Sequence, residues 1–500
     1  MQSPDPKIGR LLAPALALEA VYAIMLGTRD LKAHVERFIP LALAAGILYL
    51  IGAWLVCASP RSKVQGPRSG EAEESAHRAG SRRLLWFILG AGLLFRATLF
   101  PLYPSLSDDL FRYRWDGKMQ AAGYNPYSLT PADPALKHLR DQTYPGVNGK
   151  GYVAAYGPVT ESLFRWWYPV TMLAGNAKAS VFLMKVPMLA FDLGVALLLI
   201  RLLGVLGLPA ARVLVYWWSP VTVIEFAASG HNDPVAVFFL VLALLGLAVP
   251  ECGMRNAECG VNGRRDSALG TPHPALRPPW WTLPALSLSM LSKLFAAFLW
   301  PVVLPRWLER GRWRQLAWPL ICAAVVYWPF RSGLFNVVPG VAVYAGSWRN
   351  NDSLFGLFFA FTGSQLGASA AYGAVVAGLA GYLAGRGFPA LRSAFLILGT
   401  LLCCASNVFP WYLSWILPLL TVFPNTAWLL FSVLVFLSYN VLIGYGTLGV
   451  WRDDTTFLLL EYVPFYLLLV GGWIAGQRKI QSPGSKAQGQ ALDEAAAQHL

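Results

Sequence analysis

Two adjacent carboxylates, Asp108 and Asp109, stand just past an apolar run from Leu84 to Tyr103. As a helix that run is about 30 Å long, enough to cross a bilayer. The pair therefore sits where a spanning helix emerges into water, and a carboxylate held there can serve as a general base. Arg112, Tyr113, Arg114 and Asp116 follow with Trp115 between them. Next comes a turn-forming stretch, Ala122-Gly123-Tyr124-Asn125-Pro126-Tyr127. Taken alone, the segment also fits a solvated interfacial loop, where charges, Tyr and Trp collect anyway.

Other polar clusters interrupt the later apolar runs: His231-Asn232-Asp233, Lys293, Trp348 to Asp352 with Asn351, Asn407, and Trp411-Tyr412. Ionisable groups at membrane depth are costly and are functional candidates by default. Lys, Arg and His hold phosphates, and aromatic rings make a platform for a sugar or the edge of a lipid site. The combination suits a reaction between a lipid-linked phosphorylated donor and a hydroxyl acceptor. Each residue also has a plainer reading. Lys293 snorkels to the interface, His231 caps the adjacent helix, and Trp348 and Trp411 anchor at the membrane surface. Arg96, Asp192 and Glu225 lie inside apolar segments and read as structural ion pairs; Arg452-Asp453-Asp454 reads as a solvated loop. No cofactor is firmly expected. Asp108-Asp109 leaves room for a divalent cation, but neither a ligand count nor a geometry is written in the sequence.

The elements that must position these residues are set by composition. The 500 residues are 56% hydrophobic and 13% charged, with mean hydropathy +0.48. That composition specifies an all-α fold, a polytopic transmembrane helical bundle. Long uninterrupted apolar runs exclude a β-barrel, whose strands would alternate. The net charge of +14 does not indicate nucleic acid, because the Lys and Arg cluster in short segments between apolar runs, the positive-inside pattern. Six cysteines are present; Cys252 and Cys259 lack zinc-site spacing, so all are expected as free thiols. No cleaved signal peptide is expected at the amino terminus.

Four regions follow from this pattern: a two-helix membrane addition over 1–58, a basic cytoplasmic linker over 59–83, a membrane domain over 84–476, and a disordered cytoplasmic tail over 477–500. The basic segments around 61–83, 255–277 and 306–314 place those loops inside and the Asp108-Asp109 loop outside. The bundle then makes about 14 crossings with a long first extracytoplasmic core loop. Within that loop, Gly157 to Tyr168 reads as an interfacial helix. Residues 280–308 read as two short half-helices meeting near Ser292-Lys293.

In this arrangement the chain resembles the GT-C fold membrane glycosyltransferases that use polyprenyl-phosphate sugars, in particular bacterial mannosyltransferase-like members. The resemblance is carried by Ser107-Asp108-Asp109-Leu110-Phe111-Arg112-Tyr113 with Trp115-Asp116-Gly117, Ala122-Gly123-Tyr124-Asn125-Pro126-Tyr127, Tyr156-Gly157-Pro158 and Gly230-His231-Asn232-Asp233. Leu291-Ser292-Lys293, Ser347-Trp348-Arg349-Asn350-Asn351-Asp352 and Asn407-Val408-Phe409-Pro410-Trp411-Tyr412 complete it, in consistent order over about residues 84–475. Two departures are Gly157-Pro158, where related sequences often carry paired prolines, and the two amino-terminal helices, which are expected to lie outside the shared core.

The resemblance implies an inverting transfer of a hexose, mannose being favoured, from a polyprenyl-phosphate sugar donor to a glycan or glycolipid hydroxyl. Asp109 is implied as base, with Asp108 as the alternative. Arg112, Tyr113, Arg114, Asn125, His231, Asn232, Asp233, Lys293, Trp348, Asn351, Asn407, Trp411 and Tyr412 are the implied substrate-binding residues. The setting is a multi-pass protein of a bacterial cytoplasmic (inner) membrane, with an extracytoplasmic site. Two rivals remain at this level. A transporter or flippase for a lipid-linked sugar would more often show related halves and symmetric broken helices, and a lipid-carrier binding subunit would not need Asp109.

Overall fold

The computed structural model describes residues 6–58, 71–258, 278–309, 311–336 and 349–481. The expected linker up to residue 70, most of the basic loop after 258, Trp348 and the tail beyond 481 lie outside them, as do the side chains of Cys252 and Cys259. Among the described residues the fold is helical and no strand forms; extended pairing is limited to an isolated bridge between Asn350 and Asn407. Cys57, Cys322, Cys403 and Cys404 are free thiols.

The first helices are α1 (Pro6–Thr28), α2 (Val35–Cys57), α3 (Glu71–Leu99), α4 (Asp109–Ala121), α5 (Pro158–Thr171), α6 (Ala177–Leu183) and α7 (Lys185–Val205). Because α3 starts at Glu71, the second half of the stretch read as a linker is helical. Six described stretches are long and apolar enough to cross a membrane: Lys7–Thr28, Val35–Cys57, Ala177–Val205, Gln365–Gly385, Thr426–Gly446 and Thr455–Ala475. This is a helical membrane protein. Several further expected crossings are segmented instead. Residues 213–228 run as Leu214–Trp217, Pro220–Val223 and a π turn, Ile224–Ala228. A proline there supplies no N–H to the helix ladder.

The chain divides into two compact units. One comprises the described parts of Met1–Leu106, Leu208–Ala228 and Val408–Leu500. In it α1 and α2 pack on each other, and α1 packs on α3. Buried Arg96 donates to the carbonyls of Gly92 at 3.0 Å and Trp217 at 2.8 Å, and its guanidinium lies 3.5 Å from the Trp217 ring. The Tyr439 hydroxyl donates to buried Glu225 at 2.9 Å. Carbonyls, a hydroxyl and a ring thus replace water around charges in apolar surroundings.

The other unit, Ser107–Gly207 with Ser229–Asn407, carries most of the chemistry-bearing residues. The helix Asp233–Glu258 packs on α7 and on the helix Thr282–Ser292, and α4 packs on α5. Leu110, Phe111, Tyr113, Trp115 and Met119 of α4 are buried with Val147, Phe164, Met184, Met188 and Val235. The expected first core loop is therefore a packed layer, anchored by aromatic burial worth about 1.5–3 kcal/mol per side chain.

Candidate active site

Helix α4 starts where the Asp109 amide donates to Ser107 Oγ at 3.2 Å, giving one of the unpaired first-turn N–H groups a partner. An acidic residue in the first turn also suits the helix dipole. The helix ends at Gly123, whose φ of +89° is the left-handed stop that glycine adopts without steric cost. These two signals fix which face Asp109 presents. Asp108, just before the helix, is exposed; Asp109 is partly buried with side-chain exposure of 23%.

Asp109 is gripped from three directions. Asn148 Nδ2 donates to Oδ1 at 2.6 Å, the Tyr113 hydroxyl donates to Oδ2 at 3.4 Å, and His231 Nδ1 lies 3.4 Å from Oδ2. Tyr113 follows Asp109 by four residues, the spacing that stacks side chains on one helical face. Its ring stacks on Phe164 with centroids 4.5 Å apart. Burial pushes the Asp109 carboxyl up, but the contacts with His231 and Asn148 and the charge of Lys293 outweigh it. The group is held below its ordinary value.

The same short segment reaches a cation. Gly230 has φ +78°, and a Cβ there would press on Leu110 and on Lys185. Only glycine lets the chain turn this close to α4. His231, Asn232 and Asp233 follow, all buried. Asp233 Oδ1 pairs with Lys293 Nζ at 2.7 Å. Lys293 lies at a helix break: Thr282–Ser292 ends, Lys293 is extended at φ −149° and ψ 136°, and a 3-10 turn, Leu294–Leu299, follows. The expected junction of two half-helices is therefore observed. Its side chain is 19% exposed while Asp233 is fully buried.

Helix α5 closes the arrangement from the other side. The Gly157 amide and the Thr160 hydroxyl both donate to the Ser292 carbonyl at 3.3 Å. A Cβ at position 157 would collide with the Leu291 carbonyl. That contact is the physical reason for glycine where a proline is often found. Thr160, Glu161, Phe164 and Tyr168 are buried on one face, whereas Trp166 on another is 78% exposed.

The remaining expected substrate contacts are distributed otherwise. Arg112 pairs with Asp116 and Arg114 with Asp141, at 2.8 and 2.9 Å, and both guanidinium groups are buried. Asn125 is committed to a turn: it donates to the Phe330 carbonyl at 3.1 Å and accepts from the Tyr127 amide at 2.9 Å. Asn351 is buried with φ +53°, beside the Asn350–Asn407 bridge. Trp411 and Tyr412 belong to the other compact unit, where Trp411 stacks on Phe409 and Tyr412 on Trp415, each with centroids 4.4 Å apart. Trp348 lies outside the described residues.

Sequence reasoning missed Asn148, Asp116, Gln120 and Glu161. Asn148 sits in an unremarkable Gly/Asn turn, and Glu161 reads as an interfacial charge. Among the described residues, no three His, Cys, Asp or Glu side chains gather where they could hold a metal ion.

Residues 10–309 match the family model described as Alpha-(1->6)-mannopyranosyltransferase, N-terminal domain. The matched span takes in α1 and α2 as well as Asp109, Asn148, His231, Asp233 and Lys293. No curated protein and no solved structure matches the chain.

Proposed function

Because the chain belongs to the alpha-(1->6)-mannopyranosyltransferase family, and so is a glycosyltransferase, we propose that it moves a mannosyl group from a polyprenyl phosphate to a glycan or glycolipid hydroxyl at Asp109. The family's description directs the reading to a primary 6-hydroxyl as acceptor and an α-linked product. The observation that carries the site assignment is the segment His231–Asp233. Its first residue touches the carboxylate and its last holds the Lys293 ammonium. A carboxylate and a cation are thus linked through one three-residue segment.

In the proposed step the acceptor oxygen attacks the anomeric carbon and its proton passes to Asp109. The bond from that carbon to the phosphate oxygen breaks, and the polyprenyl phosphate leaves with the electron pair, inverting the centre. A carboxylate has about four acceptor positions; Asn148 and Tyr113 hydrogen-bond to Asp109 and His231 lies 3.4 Å away, which leaves acceptor capacity for the incoming hydroxyl. Lys293 meets the charge that grows on the leaving phosphate. Donor binding also strengthens the base. The phosphate's negative charge offsets the Lys293 field that holds Asp109 down, and Asp109 moves toward a value better suited to proton abstraction.

The site is placed on the extracytoplasmic side of a bacterial cytoplasmic membrane, supported by the basic segments flanking the other ends of the apolar runs. Purified protein incubated with a panel of radiolabelled polyprenyl-phosphate sugars and a mannan-type acceptor tests the reading. Labelled product from the mannosyl donor is expected, with loss of labelling in Asp109→Asn. Turnover of a nucleotide sugar in place of every lipid-linked donor would overturn it.

A further inference from the structure

Beneath Asp109 lies a buried charge cluster that the proposed reaction does not use. Arg112 Nε contacts both oxygens of Asp116, at 2.9 and 2.8 Å, one turn along α4. Its other nitrogens donate to the carbonyls of Gly149 at 3.0 Å and Tyr152 at 3.3 Å. Gly149 directly follows Asn148, whose amide grips Asp109. Arg112 is therefore the clamp between α4 and the turn that orients the base.

Asp116 has a second ionisable neighbour. Gln120 lies one turn beyond Asp116 on α4, and Glu161 of α5 accepts from Gln120 Nε2 at 2.7 Å, while its other oxygen, Oε1, is buried with no donor and the Asp116 charge lies beside it. Asp116 and Glu161 are fully buried and Arg112 nearly so. Two carboxylates facing one guanidinium leave one excess negative charge in a dry site. Two carboxylates buried side by side do not both ionise, so the pair holds one proton. Arg112 lies against Asp116, so Asp116 keeps the charge. Burial and the Asp116 charge push Glu161 well above its ordinary value, so Glu161 carries the proton.

The other helices packed on α5 add no competing charge at this point. Thr282–Ser292 has no titratable residue, Ala317–Tyr327 carries only Cys322 and Tyr327, and α6 carries only Lys178. The first turn of α5 holds the Ser292 carbonyl, next to Lys293. The cluster thus bridges the base on one side and the cation on the other.

The geometry points to Asp116 and Glu161 as a one-proton acid–carboxylate pair that, through Arg112, sets the position of the Asn148 turn and hence of Asp109. They are positioning residues, and the inference rests on Asp109 acting as the base. The protonated member makes a clear demand. Glu161→Gln replaces a neutral donor by a neutral donor, whereas Asp116→Asn takes away the carboxylate that Arg112 Nε contacts directly.

The test uses full-length protein in nanodiscs, with wild type, Glu161→Gln and Asp116→Asn compared by infrared spectroscopy at neutral pH and by mannosyl-transfer kinetics. Wild type should show a protonated-carboxyl stretching band that Glu161→Gln lacks, and that variant should keep kcat and donor KM within a few-fold. Asp116→Asn should retain donor KM while losing kcat on the order of 10²-fold, the cost of about 1 Å of misplacement. Absence of a band removable by Glu161→Gln overturns the shared proton, whether or not the protein turns over. Normal kcat in folded Asp116→Asn overturns the positioning role. Failure of wild type to transfer mannose, with the band intact, would instead count against the assigned reaction and leave the pair standing.

Discussion

Asn148 Nδ2 donates a 2.6 Å hydrogen bond to Asp109 Oδ1 across 39 positions of chain. The bond does two things. It fixes the rotamer of the carboxylate, and with His231 it keeps the ionised form favoured despite burial.

A pH dependence follows, with a definite sign. A base works when deprotonated, so the lowered value in the free enzyme places the acid limb of kcat/KM below the ordinary aspartate value of about 3.9. Asn148→Ala removes one of the lowering contacts, so its acid limb should move to higher pH. The same group contributes stability that is present above its unfolded pKa and is lost as pH falls through the folded one. A kcat/KM–pH profile of both proteins checks this. An acid limb in Asn148→Ala at or below the wild-type position would refute it.

Asp109→Asn should lose about 10²–10⁴-fold in turnover, the usual contribution of a positioned base, with donor affinity kept. Asp108 is exposed whereas Asp109 is partly buried, so Asp108→Asn should be milder. Turnover and donor binding measured on both variants decide the matter; the reverse order of effects would swap the two roles.

Lys293→Met should weaken donor binding by about 1.5–3 kcal/mol, the worth of a hydrogen bond to a charged group. It also strands the buried Asp233 carboxylate, which costs stability. Asp233→Asn combined with Lys293→Met should recover the stability and leave the donor affinity low. Donor titration and thermal melting separate the two effects. Recovery of affinity along with stability would make Lys293 a structural partner of Asp233 only.

Sidedness is open to a direct measurement. In a variant freed of its native cysteines, Tyr103→Cys at an exposed position should react with a membrane-impermeant thiol reagent on intact cells. Gly70→Cys, within the basic stretch, should not. Labelling at Gly70 alone would invert the proposed topology.

Local physics made much of this protein readable before any coordinates. Apolar run lengths specify a helical membrane protein, because an unpaired backbone cannot be left in hydrocarbon. The break at Ser292-Lys293 shows in an apolar stretch too long for one crossing and interrupted by a lone cation. That Asp109 and Tyr113 share a face was not readable, because the stretch reads as a loop and only the structure makes it a helix.

Tertiary structure decided the rest. Arg112 and Arg114 are substrate contacts only as the resemblance implies; what the structure adds is that each is buried against a protein carboxylate. The direction a side chain takes off α4 depends on what packs around it. The grip of Asn148 on Asp109 and the contact of Glu161 with Gln120 join residues dozens of positions apart. Such pairs leave no periodic trace, since closing the chain between them depends on every helix that packs in between. The 3.6-residue repeat reaches only as far as the next turn.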